Sequence, residues 1–283
     1  MSVFLHRRKP RVLLVPNHWS GSVQEYYHFL LGYLGPIMVW VARHPDKQIA
    51  VRDCGPMNAW LDAFLDDVDM QVLNPGAMLH LFAGKVHKSA VLAGFDDPER
   101  FRAESLREFR ALALNKVQSA SRANESLVPR NDAPAHGGTI TVIDRASSGE
   151  FNSTPAAEVP ASGAAVRSIP NLREVIAEAG LADRAAIVDS AHLDPFDQVR
   201  IFEKTSILIG QHGAGLANML WMSPGSTVIE VLPPSPPWIA PIFTNLARAL
   251  GHRILVVPQA DPHAPVDADL LNTAIQSVLT DAL

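Results

Sequence analysis

Ser206-Ile-Leu-Ile-Gly210 followed by Gln211-His-Gly-Ala-Gly-Leu-Ala-Asn218 runs from an apolar stretch through the turn Gly210-Gln211-His212-Gly213-Ala214-Gly215 into a helical pattern. Backbone N–H groups at such a helix start, with the helix dipole behind them, can hold a diphosphate. Gly210, Gly213 and Gly215 suit a positive φ or the close approach of phosphate oxygens, and His212 and Asn218 bring donors to the same mouth. The same glycines also serve a tight strand-to-helix turn that binds nothing. The spacing is not G-x-G-x-x-G, which disfavours a nicotinamide cofactor.

Glu230 interrupts the apolar run Thr227-Val-Ile-Glu-Val-Leu-Pro233. A carboxylate buried there without a partner costs several kcal/mol or takes up a proton, so it needs a partner. A ribose diol at the C-terminal end of a parallel strand is one candidate. An arginine or backbone amides in a purely structural role are the other. Arg145 follows the segment Thr139 to Asp144 and would emerge at the same edge, either to pair with phosphate oxygens or as a solvated surface group. Asp67-Val68-Asp69 and Asp267-Ala268-Asp269 match a D-x-D metal motif, but such triplets arise easily by chance, and the second also suits a helix start.

These groups need elements to position them. After about residue 138, apolar segments at Thr139 to Ile143, Ala186 to Asp189, Ser206 to Ile209, Thr227 to Leu232 and Arg253 to Val257 alternate with helical patterns. That alternation predicts a parallel sheet covered on both faces. Asn171 and Glu174 are spaced as a capping box, Gly180 suits a helix C′ position, and Asp194-Pro195 reads as an N-cap followed by proline at N1. A final helix is expected over Asp267 to Leu283. Before residue 119, strands are expected at Val12 to Val15, Ile49 to Val51, Gln71 to Leu73 and Ala90 to Ala93. A long amphipathic helix is expected from Asp97 to Gln118, with Phe101, Leu106, Phe109, Leu112 and Val117 on its apolar face. Ser119 to Gly138 is polar and rich in Asn, Ser, Ala, Pro and Gly, which sets a domain boundary near 136.

Composition narrows the function. With 47% hydrophobic and 19% charged residues the chain has the apolar content for ordered cores. A formal net charge of -5 argues against nucleic acid as a partner, which needs clustered Lys and Arg. Cys54 is the only cysteine, so an intrachain disulfide and a Cys-based zinc site are excluded. Arg11-Val-Leu-Leu-Val-Pro16 is too short for the apolar region of a signal peptide and reads as a first strand, which suggests a cytoplasmic protein. Phe29 to Ala42 contains Pro36 and is shorter than the roughly 20 residues of a membrane span. It reads as buried helix and loop, with peripheral membrane contact left open.

Asp144-Arg145, Arg167-Ser-Ile-Pro-Asn171, Phe196-Asp-Gln198, Gly210 to Asn218 and Pro224-Gly-Ser-Thr-Val-Ile-Glu230 together resemble, in order, the motifs of glycosyltransferase family 61, over roughly residues 138 to 235. That family, also described as capsular-polysaccharide-biosynthesis-like, comprises GT-B-type enzymes that use nucleotide sugars. The resemblance implies that Arg145, Arg167, His212, Asn218 and Glu230 line the donor site, with inversion at the anomeric carbon and neither an obligatory metal nor another cofactor. A GT-B site can offset leaving-group charge with Arg, His and helix N-termini.

Glu25-Tyr-Tyr-His28-Phe29-Leu30 resembles the family's Asn-x-x-His-Phe-type segment on the acceptor side. An acceptor hydroxyl loses a proton as it attacks, and His28 or Glu25 can take it. A half-buried structural histidine is the competing reading. Two departures stand out: Gly32 occupies a position often acidic in relatives, and residues 146 to 166 form a long insertion between the two arginines. That insertion reads either as a lid or as a disordered spacer.

The expected architecture is α/β and GT-B-like, with two Rossmann-like domains facing a cleft. Residues 1–136 form the acceptor side, and 137–283 the nucleotide-sugar domain with the final helix. The expected reaction moves a sugar from a nucleoside diphosphate sugar, UDP-sugar favoured, to a hydroxyl of a glycan or lipid-linked glycan acceptor. The alternatives are a non-catalytic sugar-nucleotide-binding or partner-binding module, or transfer of a non-sugar group.

Overall fold

The computed structural model describes residues 11–17, 22–74, 89–95, 97, 99–124, 139–144 and 169–281. The chain divides into two compact units. One contains residues 1–97 with 104–113, and the other 98–103 with 114–283. The expected boundary near 136 and the insertion 146–166 lie outside the described residues.

In the first unit, β1 (Val12–Asn17), β2 (Ile49–Arg52), β3 (Met70–Leu73) and β4 (Ser89–Ala93) form a parallel sheet in the order β3-β2-β1-β4. All four coincide closely with the expected strands. Pairing of β1 with β2 stops at Leu13↔Ala50, ahead of Pro16, which has no N–H to give to a ladder.

Between β1 and β2 the chain is continuously helical from Tyr26 to Arg43: α1 (Tyr26–Phe29), a π segment (Leu30–Leu34) and α2 (Gly35–Arg43). The loop expected within Phe29 to Ala42 is absent. Pro36 cannot donate to the carbonyl four residues back, and the turn ahead of it widens to π geometry instead of breaking. Phe29, Leu30, Leu31, Tyr33, Leu34 and Ile37 are wholly buried, as a helix crossing behind a sheet should be. α3 (Asn58–Phe64) links β2 to β3. α4 (Ala103–Asn124) follows β4, and Leu106 and Phe109 are buried at the expected spacing, whereas Leu112 is half-exposed and Ala113 buried. Gly35 lets α2 meet α4: a Cβ there would stand 2.7 Å from the Phe109 ring.

In the second unit, β5 (Thr139–Ile143), β6 (Ala185–Val188), β7 (Thr205–Gln211), β8 (Thr227–Leu232) and β9 (Arg253–Pro258) form a parallel sheet in the order β6-β5-β7-β8-β9. One face packs Ile140, Val142, Ile207, Ile209, Ile229 and Val231 against α5 (Leu172–Glu178) and the final helix α8 (Ala268–Asp281). Alternation then turns Ile143, Gly210 and Glu230 to the opposite face. That face is the side of a 3₁₀ helix (Ala214–Trp221), with α6 (Pro195–Glu203) and α7 (Ile242–Leu250) packed against the 3₁₀ helix.

The local signals act largely as expected. Asp194 accepts from the Phe196 N–H with Pro195 at N1, a cap of about 1 kcal/mol. Gly180, at φ 73°, closes α5: its own N–H reaches Ala177 and the Leu181 N–H reaches Ile176, the paired bonds of a Schellman end. Asn171 stands at the N-cap of α5, but its side chain does not cap the helix. Its amide instead makes two 2.9 Å bonds to the Val266 backbone and tethers the segment leading into α8.

Candidate functional site

Both sheets reverse their strand order beside their first strand, between β1 and β4 in one and between β5 and β7 in the other. In open parallel α/β sheets, ligands lie beyond the carboxyl ends of the strands at such a reversal. The turn after β7 therefore occupies the ligand edge of the second sheet.

Its geometry is built from within. The Gln211 amide donates to Gln259 Oε1 at 2.6 Å and to the Pro262 carbonyl at 2.9 Å, which clamps the end of β7 to the loop after β9. The His212 N–H extends the ladder to the Val231 carbonyl at 2.8 Å. Gly213 then turns with φ 150° and ψ 179°, a region essentially restricted to glycine. The expected helix follows and is of 3₁₀ type, with the Leu216 N–H on the Gly213 carbonyl.

Packing constrains Gly210 more tightly than Gly215. A Cβ on Gly210 would meet Leu216 at 3.1 Å, and one on Gly215 would meet Ile143 at 3.4 Å. Asn218 is fully buried, and its amide is engaged inside the protein. It donates to the Gly215 carbonyl and accepts from Gln198 of α6, both at 2.9 Å. The sequence segments Phe196-Asp-Gln198 and Gly210 to Asn218 are thus one structure, joined by the Gln198–Asn218 bond.

Beneath the turn, His212 Nδ1 and Glu230 Oε1 are 2.5 Å apart. Register places Glu230 opposite Gly210, and the two side chains are 0% and 3% exposed for Glu230 and His212. The Phe243 ring and the imidazole meet in a T-shaped contact, 5.0 Å between centroids. Glu230 Oε2 is buried with no hydrogen-bond partner among the described residues. An unsatisfied buried acceptor costs roughly 1–3 kcal/mol, more when charged. Arg145 and Arg167 lie outside the described residues. A described guanidinium at the β5 end is that of Arg173, 2.8 Å from Asp144 Oδ2.

In the first unit, Glu25 is the N-cap residue of α1, in extended conformation and without a side-chain cap bond. Its carboxylate lies 3.7 Å from His28 Nε2, so the structure brings the two acceptor-side candidates together. Sequence reasoning passed over Asp53, at the end of β2. It accepts from the Gly55 N–H and the Asn58 amide, and these bonds hold its carboxyl below the usual range. A carboxylate followed two residues on by glycine at a strand end was the available signal. Beside it, burial pushes the Cys54 thiol up to about 12.

Among the described residues no three His, Cys, Asp or Glu side chains cluster to hold a metal ion, and no helix is long and apolar enough to cross a membrane. Of the two D-x-D triplets, Asp69 is engaged by Arg11 and Gln48, and Asp267 accepts from the Leu270 N–H at the start of α8.

A β-1,2-xylosyltransferase of Arabidopsis thaliana is 33% identical over 81 residues, 27% of this chain and 15% of that protein. A dodecameric iron-containing heptosyltransferase, TibC, solved with ADP-D-β-D-heptose, superposes with a TM-score of 0.36 at 12% identity, over 79% of this chain and 58% of that one. TibC from enterotoxigenic E. coli H10407 gives 0.35 at 13% identity, over 82% and 62%. This chain thus spans less than two thirds of each. The family model Glycosyltransferase 61 matches residues 26–229, more than half of the chain and inclusive of His28 and the whole turn after β7, and the chain belongs to that family.

Proposed function

We propose that the protein transfers a sugar from a nucleoside diphosphate sugar, UDP-sugar favoured, to a hydroxyl of a glycan or lipid-linked glycan acceptor. The donor sits on the carboxyl edge of the second sheet and the acceptor on the side of Glu25 and His28. The two lobes, residues 1–136 and 137–283, would face a cleft as in GT-B enzymes. The observation that carries this reading is the turn after β7. A glycine-only backbone at the strand-order reversal lies over a buried His212–Glu230 pair whose second carboxylate oxygen is left without a donor. A turn that only reverses the chain has no need of that cost.

In the proposed step, the acceptor oxygen bonds to the anomeric carbon on the face opposite the departing diphosphate, giving inversion. The bond from that carbon to the phosphate oxygen breaks with its electron pair, and the acceptor proton passes to His28 or Glu25. His212, held by Glu230, offsets the charge developing on the diphosphate together with the backbone of residues 213 to 215. Glu230 then acts through His212, a positioning role that replaces direct ribose contact in our reading. The charge is met without a metal. The stretch shared with a β-1,2-xylosyltransferase is compatible with a pentosyl donor. A surface-glycan precursor in the cytoplasm is the acceptor class this reading favours.

The test is a thermal-shift and calorimetric screen against UDP, GDP, CDP, ADP and their common sugars, with Mg²⁺ and with EDTA, because a ligand of the native state raises apparent stability. A shift with one nucleotide, undiminished by EDTA, is expected. Binding without hydrolysis or transfer would favour a non-catalytic module, and no binding would overturn the donor site.

A further inference from the structure

Resting on that donor site, we infer that Trp238 is the platform on which the donor's nucleobase stacks. Trp238 is 68% exposed, the aromatic one among the exposed large apolar side chains of the described residues. A lone exposed apolar side chain needs no explanation in general. This one stands on an arch whose two ends both rest on His212. The arch leaves β8 one residue past Val231, whose carbonyl takes the His212 N–H, and enters α7 beside Phe243, whose ring meets the imidazole in a T-shaped contact. Residues 233–241 therefore rise directly beside the turn assigned to the diphosphate.

The arch is also stiff. Pro233, Pro234, Pro236, Pro237 and Pro241 fix φ at five of its nine positions. The N–H groups of Ile239 and Ala240 both bond the Pro236 carbonyl, and Ser235 Oγ bonds the Pro233 carbonyl. Trp238 is held outward by a backbone with little freedom to fold it in. Neighbouring strands stand about 4.8 Å apart, so a ligand with its phosphates over the end of β7 extends its nucleoside over the loop of β6 or β5 on one side, or over this arch on the other. On the arch side the surface such a ligand meets is the exposed indole of Trp238. Every base offers a π-face to such a surface, so the platform confers affinity with little choice of base.

The experiment is calorimetric binding of UDP, ADP, GDP and inorganic pyrophosphate to the full chain and to Trp238→Ala and Trp238→Phe, with thermal midpoints as the folding control. The expected result is a loss of about tenfold in affinity for each nucleotide in Trp238→Ala. Most of it returns in Trp238→Phe, and pyrophosphate binding is unchanged. Quenching of tryptophan emission by UDP is expected in the native chain and absent from Trp238→Phe. Unchanged nucleotide affinity in a folded Trp238→Ala overturns this inference and leaves the donor site standing, and an equal loss for pyrophosphate overturns it too. If the native chain binds no nucleotide, the donor site itself falls and this inference with it.

Discussion

Glutamate meets histidine in both units, and the two pairs differ in almost every physical respect. Glu25 and His28 are one helical turn apart at 3.7 Å, with side chains 45% and 20% exposed. Glu230 lies in β8 and His212 just past the end of neighbouring β7; they stand 2.5 Å apart and are 0% and 3% exposed. Water screens the first pair and can exchange protons with it, so its coupling is weak, as for most surface ion pairs. The second has lost its water, and each partner depends on the other. A group that must receive a proton in each turnover suits the first setting. A group that must present charge in one fixed place suits the second.

The largest effect expected from breaking this contrast is on rate. His28→Ala should lower kcat by about two to four orders of magnitude while the thermal midpoint stays near native. Steady-state kinetics beside a melting curve checks both, and full activity would remove His28 from the chemistry. Glu230→Ala should do the reverse in stability, costing about 3–5 kcal/mol in urea titration by stranding His212. Glu230→Gln, which keeps the shape, should fold better yet lose UDP affinity, a split that a purely structural pair would not give. Gly213→Ala should cost about 1–3 kcal/mol, because alanine does not tolerate φ 150° with ψ 179°.

The smallest effect concerns the remaining carboxylate of the first edge. Asp53 has its folded pKa depressed by the Gly55 N–H and the Asn58 amide. Its contribution is therefore complete above the unfolded value, about 3.9, and is lost as pH falls through the folded value. Asn58→Ala should lower the urea midpoint slightly at pH 7, and the gap to native should narrow below about pH 4.

The contrast also marks what could be read in the sequence. β5 and β8 match their expected bounds because strands buried on both faces are continuous apolar runs between turn residues. His212 and Glu230 were both visible as chemistry, but as two separate ligand groups. Their contact depends on the register of β7 on β8, which neither segment states alone. Asn171 followed its motif to the helix start and then bonded Val266, 95 residues away, because a tertiary partner outcompeted the local cap. The 3₁₀ form of residues 214–221 was equally hidden, because the sequence pattern does not separate a 3₁₀ helix from an α-helix.

The widened turn ahead of Pro36 sets a phase. The helix beyond it is locked by Gly35 against Phe109, so any change in winding between residues 30 and 34 is passed toward the N-terminal end. Winding the same five residues as regular α-helix, with none removed, would turn His28 by about 100° around the helix axis. The buried half of the helix would stay where it is, and the imidazole would point elsewhere. In its winding, this stretch of sequence is an angular setting for a side chain as much as a tie between two strands.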